Sequence, residues 1–253
     1  MSRTARLLMF GVGAAGLGVV LVYGLGGIPA FGHYQGVYGR VLDGIGVAQR
    51  HATDLVTGLN FDFRAFDTLG EEFILFASVL GIVLILRETR GEHESPRQEE
   101  PDEHQFAGAS SALRALALGL IPSMIALGVY IVVHGQITPG GGFQGGVILA
   151  TGPLVAFLSG RYLRMKTLAP HTVVELGDAA GAVGYALIGL GGLVFTGVLF
   201  KNFLPLGIPG HLLSAGQIDV ASVAVGLEVR GAFLVGWSEF FDQAILVRRE
   251  GDP

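Results

Sequence analysis

Residues Ala112 to Val133 read ALRALALGLIPSMIALGVYIVV. A single charge, Arg114, stands near the start of this run, and nearly everything after it is apolar or small. As an α-helix the stretch is about 33 Å long, which matches a hydrocarbon core of about 30 Å. Working outward, five further apolar stretches flank it: Leu7–Leu25 and Leu69–Leu86 before it, Gly145–Gly160, Val173–Phe200 and Ser214–Phe241 after it. The last two are interrupted by polar residues. Charged residues make up only 15% of the chain, against about 25% in a soluble domain, so it lacks the means to wet its own surface. The mean hydropathy of +0.58 and the abundance of glycine, which lets membrane helices approach closely, point the same way. The expected fold is all-α: a polytopic integral membrane protein with about six transmembrane helices.

Basic residues set the expected orientation. With the N-terminus inside, Arg3, Arg6, Arg87, Arg90, Arg97, Arg114, Arg161, Arg164, Lys166, Arg248 and Arg249 fall at inner ends. Arg40, Arg50, Arg64 and Lys201 fall outside, and Arg230 lies within the last span. The positive-inside rule then places both termini in the cytoplasm. The first span follows Arg3 and Arg6 as a signal peptide would. Its apolar run is too long for that, and GLGGIPAFGHYQG offers no persuasive cleavage site. The charged stretch from Arg87 to Gly108, with Pro96 and Pro101, reads as a flexible cytoplasmic linker rather than a metal site. The expected organisation is a two-helix membrane module over residues 1–90, a linker over 91–108 and a four-helix membrane domain over 109–253.

Several function classes fall away. Without cysteine there is no disulfide and no thiolate-held cluster or zinc. No basic stripe suits nucleic acid, and no G-x-S-x-G, H-E-x-x-H or nucleotide loop is present. No cofactor or metal and no covalent chemistry is expected.

The most distinctive string is HGQITPGGGFQGG, from His134 to Gly146. It contains Gly135, Thr138, Pro139, Gly140, Gly141, Gly142, Phe143, Gln144, Gly145 and Gly146; Pro139 followed by three glycines cannot continue a helix, so a tight hairpin at or just within the outer membrane face is expected. Its buried backbone would need cover, which another subunit could give. A packing turn and a direct role in ion passage both fit. The second string, FDFRAFDTLGEE over residues 61–72, leads into the second span. Thr68 and Glu71 have the spacing of a capping box. Alternatively, Glu71 or Glu72 lies at the mouth of a proton or cation path. Asp62, Arg64 and Asp67 are expected to form a local ion-pair cluster.

Charge inside a membrane is costly and so marks candidate function. Glu175 and Asp178, three apart at the start of the fifth span, either complement the helix dipole or act on an ion. In the last span Asp219 and Arg230 fall within about 20° of each other around the helix, while Glu228 points elsewhere and needs a partner. An inter-helix pair and a proton relay are both open for Glu228. His134 and His211 sit at outer span ends, where ordinary interfacial roles suffice.

The string from Gly135 to Gly146 resembles the signature loop of the MnhB-domain family, the B component of the Mrp-type multisubunit Na+/H+ antiporters. The resemblance continues through VVELGDAAG and GLEVRGAFL, over about residues 109–253. Residues 61–72 resemble a second element, D-F-R-G-F-D-T-L-G-E, found at the C-terminal end of the large antiporter component or as a small separate chain in related hydrogenases. Ala65 stands where the usual glycine would be. The chain therefore looks like a fusion of the two. The resemblance implies a hetero-oligomeric complex in a prokaryotic plasma membrane, related to respiratory complex I, that exchanges cytoplasmic Na+ for external H+. Its partners would be other antiporter subunits, lipid and the two ions. It also maps the family's glutamate onto Glu71. Carboxylates would trade a proton for a cation as access alternates. A subunit of a redox-driven complex and a purely structural spacer are the alternatives.

Overall fold

The computed structural model describes residues 3–28, 32, 36–91, 110–159 and 168–251. Among them every regular element is helical. The linker expected over 91–108 lies almost wholly outside the described residues. The chain divides into two compact units, residues 1–41 and 42–253. In the first, α1 (Arg3–Gly26) exposes its apolar side chains all round, Leu8, Phe10, Val19 and Tyr23 among them. That is the surface of a helix whose natural surroundings are apolar.

The second unit begins within α2 (Val37–Arg50) and continues through a one-turn helix, α3 (Leu55–Gly58). A π-helical turn (Leu59–Phe63) leads into α4 (Ala65–Gly91). Further along the chain come α5 (Ser111–Val133), α6 (Gly142–Leu158), α7 (His171–Thr196) and α8 (Gln217–Gly251). Helices α1, α4, α5 and α7 are long and apolar enough to cross a membrane. The apolar α6 is shorter, and α8 has the length but carries Asp219, Glu228 and Arg230. The chain is an all-α, multi-pass membrane protein.

Packing runs through α8, which lies against α4, α6 and α7, while α5 packs on α6. Small residues set these distances. A Cβ on Gly142 would lie 2.4 Å from the Ser222 carbonyl oxygen, and one on Gly146 would lie 2.8 Å from Val229 Cβ. Close backbone approach of this kind is how helices associate where water supplies no driving force. The core of α8 is Ile218, Ala221, Val225, Val229 and Ala232, joined by Phe61 and Ala65 from before the linker and Tyr185 from α7.

Two expectations are corrected. Thr68 does not cap a helix: α4 already begins at Ala65, and the Thr68 hydroxyl, a turn inside it, donates to the Asn60 carbonyl oxygen (2.7 Å). Asp62 does not join Arg64 and Asp67; it pairs with Arg50, whose guanidinium also lies over the Phe63 ring, while Arg64 pairs with Asp67 alone. The hairpin at 134–141 finds backbone partners within the chain. The Gln136 carbonyl accepts from the Thr53 and Asp54 amides (2.9 and 3.1 Å), and Gly141 N–H donates to the Ile131 carbonyl (3.2 Å). The Ser222 hydroxyl donates to the Val132 carbonyl (2.7 Å).

Candidate functional site

Three acidic side chains from three helices meet where α4 and α7 cross α8. Glu72 of α4 is 1% exposed, Glu228 of α8 is 0% exposed and Asp178 of α7 is 7% exposed. The carboxyl groups of Glu72 and Glu228 face each other, and Asp178 is near enough to both to act on them electrostatically. None of the four oxygens of the pair meets a hydrogen-bond donor, and neither does Asp178 Oδ1.

Local sequence explains how the three are brought in. Gly181 and Gly231 remove two side chains at the α7–α8 crossing. A Cβ on Gly181 would sit 2.5 Å from Glu228 N, and one on Gly231 would sit 2.7 Å from Asp178 Cβ. The two helices thus interlock, Gly181 under Glu228 and Gly231 under Asp178. On the α4 side, the π-helical turn and Thr68 fix where the helix begins, and Glu72 lies one turn beyond Thr68. Tyr185, fully buried on α7, donates its hydroxyl to the Ala65 carbonyl (3.0 Å) and lies beside the Thr68 hydroxyl. Its ring packs against Phe61 and Phe200. Tyr185 and Thr68 tie α4 to α7 one turn from the carboxyl pair; no sequence motif singles out Tyr185, which reads there as one more apolar-run residue.

The other candidates are elsewhere. Glu71 is exposed, although adjacent in sequence to the buried pair member. Glu175 is exposed while Asp178 is buried; three residues apart leaves them 60° apart around the helix, enough to split them between surface and core. Asp219 and Arg230 are half-buried, about 20° apart around α8. His134 stacks on Tyr130, with centroids 4.1 Å apart. Among the described residues no group of three or more His, Asp or Glu side chains is placed to hold a metal ion.

The hairpin at 134–141 and the first residues of α6, Gly142–Gly146, lie against the N-terminal half of α8. Gly141, at φ +112°, takes a conformation that side chains avoid, and its α-carbon faces Thr57 and Phe61. Gln136, 0% exposed, donates through Nε2 to the Leu212 carbonyl (2.6 Å). The hairpin thereby joins the turn at 51–57, the loop before α8 and α8 itself. Gly142, Gly145 and Gly146 are buried at helix contacts, whereas Pro139 and Gln144 are exposed.

Two facing carboxyl groups cut off from water cannot both be ionised at low cost; a proton shared between them is the stable arrangement. Such a pair, held by interlocked helices, is a place where a proton can be kept and exchanged.

Residues 112–235 match the family model described as a domain related to the MnhB subunit of Na+/H+ antiporter. An uncharacterized protein of Methanocaldococcus jannaschii is 31% identical over 69% of this chain and 71% of its own length. The chain belongs to the MnhB-related family. A probable K(+)/H(+) antiporter A/B component of Rhizobium meliloti is 28% identical over 43% of this chain, and the match spans 12% of that much longer protein. Two solved structures share the fold over 94% of this chain. One is in the membrane-bound sulfane sulfur reductase, an archaeal respiratory membrane complex, with TM-score 0.69, 27% identity and 98% of that chain covered. The other is in the Mrp complex from Dietzia sp. DQ12-45-1b, with TM-score 0.68, 25% identity and 26% of that chain covered. Both neighbours are multisubunit membrane complexes.

Proposed function

We propose that this chain is a non-enzymatic membrane subunit of an Mrp-type multisubunit Na+/H+ antiporter in a prokaryotic plasma membrane. It crosses that membrane six times with both termini in the cytoplasm, and residues 1–90 and 109–253 serve as two modules joined by the charged linker. The Glu72–Glu228 pair, with Asp178 beside it, is its contribution to the ion path. The observation that carries this is the facing of two fully buried carboxyl groups, none of whose oxygens meets a donor. A structural ion pair would bring a cation to each carboxylate; here an acid meets an acid. Loss of the shared proton leaves uncompensated negative charge in an apolar site, and a monovalent cation arriving as the proton departs relieves it. We assign this role to Glu72 rather than to the exposed Glu71. The hairpin of Gly135–Gly146 holds α6 and the outer loops on α8 and supports the site without touching the ion.

A second reading, a subunit of a redox-driven complex, is favoured by one observation. The chain spans 98% of its counterpart in the sulfane sulfur reductase but 26% of its counterpart in the Mrp complex. The same carboxyl pair would then move protons or cations at the expense of an electron-transfer module.

The test uses the complete native complex in inverted vesicles, with ΔpH dissipation read on adding Na+. Glu72→Gln and Glu228→Gln are expected to assemble normally on native gels and to lose antiport by about tenfold or more, the equivalent of about 1.4 kcal/mol, with Glu71→Gln close to the parent. Normal antiport in both variants would overturn the assignment. Co-purification of cluster-bearing soluble subunits, with transport that requires a reductant, would select the redox-driven reading.

A further inference from the structure

Two residues beyond Glu228, Arg230 leaves α8 about 200° further round the helix. It shares a stripe with Val220, Val223 and Leu227, which are 47%, 41% and 43% exposed. The stripe faces away from α4, α6 and α7; Arg230 is its last member, and the half-buried Asp219 stands about 20° from Arg230 around the helix and about 16 Å before it. Among the described residues no hydrogen bond or ion pair reaches the Arg230 guanidinium.

Its depth excludes a surface role. Arg230 lies thirteen residues from Gln217, about 20 Å along the axis, and twelve before Asp242, about 18 Å more. The residue after it, Gly231, is packed on the backbone of Asp178 well inside α7. Lipid tails would cover the three apolar side chains but offer nothing to a guanidinium at this depth, where an unpaired charge is costly. An apolar stripe that ends on a cation is complementary to an apolar helix that carries an acid at the same depth. Such a pairing also fixes register between helices, the best-attested use of a buried charge pair.

We propose that the Val220–Val223–Leu227–Arg230 stripe of α8 is a docking face for a transmembrane helix of another subunit, and that this helix carries an Asp or Glu opposite Arg230. The proposal rests on the reading of the chain as one subunit of a hetero-oligomer, and it is independent of which carboxyl groups carry the ion.

The experiment uses the complete complex, purified through a tag on a different subunit, with this chain's membrane level measured separately when it is expressed without partners. Arg230→Met should lower this chain's recovery in the complex severalfold at an unchanged membrane level, and Arg230→Lys should restore most of it. A photo-crosslinking benzoylphenylalanine in place of Leu227 should attach to a transmembrane segment of a partner. Reversing the charges, Arg230→Glu here and the acid of that segment to Arg, should recover assembly that either change alone abolishes. Crosslinking to lipid, a captured segment without an acid, or parental recovery of Arg230→Met would each overturn the proposal. Failure of antiport in Glu72→Gln with assembly intact leaves this face unaffected, so the two readings fail separately.

Discussion

The α-carbon of Gly181 lies against the backbone of Glu228, close enough that an added Cβ would come within 2.5 Å of the glutamate's amide nitrogen and 2.7 Å of its Cβ. The position of the buried acid is therefore set by the absence of a side chain on the helix that crosses it. Gly181→Ala must push α7 from α8 and with it part Asp178 from the pair. Overpacking against backbone typically costs about 1–3 kcal/mol. We expect a lower thermal midpoint of the complex and loss of antiport together, whereas Gly177→Ala, with nothing within 4 Å of the added carbon, should change neither. Equal effects of the two substitutions would show that the crossing is not what positions Glu228.

The hairpin divides sharply into buried and exposed positions. A Cβ on Gly142 would meet the Ser222 carbonyl oxygen at 2.4 Å, a backbone atom that cannot swing aside. Gly142→Ala should therefore cost about 3 kcal/mol, at the upper end for overpacking. Pro139→Ala, at an exposed turn position, should stay within about 0.5 kcal/mol of the parent. Thermal unfolding of the two purified variants side by side checks this; a severe Pro139 effect with a silent Gly142 would contradict the packing role of the loop.

Tyr185 and Thr68 fasten α4 to its neighbours by hydroxyl groups that donate to the Ala65 and Asn60 carbonyl oxygens. Tyr185→Phe leaves the buried Ala65 carbonyl, and Thr68→Val the part-buried Asn60 carbonyl, without that donor, at about 1 kcal/mol apiece. Because the two hydroxyls are adjacent, the double variant should depart from the sum by about 0.5 kcal/mol or more. Strict additivity in a double-mutant cycle would mean the two act separately.

Outside the spanning helices, burial raises the pKa of Asp62 above the usual carboxylate value, with the hydrogen bond and charge of Arg50 pulling the other way. A raised folded-state pKa means that the folded protein holds the proton more tightly than the unfolded chain. Stability then falls as pH rises from the unfolded value near 3.8 through the folded one. Arg50→Met removes the opposing influence and leaves a nearly buried carboxylate unpaired, at about 3 kcal/mol near pH 8. The deficit should be smaller at pH 5 than at pH 8, because acid favours the neutral form of the unpaired carboxyl. Thermal midpoints of parent and variant at the two pH values decide it, and a deficit that grows in acid would refute the account.

Residues with a local signal are legible in the order of amino acids alone. The apolar run Ala112–Val133 lies within α5 (Ser111–Val133), and the run expected to start at Val173 is α7, which stops at Thr196 because Gly197 turns left-handed. Hydrophobic length and glycine content determine the all-α membrane class, and the strings at 61–72 and 135–146 point to the family. Helix α2 and the π-helical turn are not legible in this way, because a short amphipathic helix and a one-residue widening of a turn leave no periodic trace in so apolar a chain.

The sequence also marks Glu228 as an acid in need of a partner, and it marks Glu71 and Glu72 together as candidates. It does not say that the partner is Glu72, nor that Glu71, one residue away, faces out. That choice depends on the starting point of α4, set by the π-helical turn, and on the approach of α7 to α8, set by Gly181 and Gly231. Span, class and family follow from the free energy of moving each residue into an apolar medium, which composition and order alone determine. Which two carboxyl groups face each other depends on helix rotation and crossing between segments far apart in the chain, and only tertiary packing determines those.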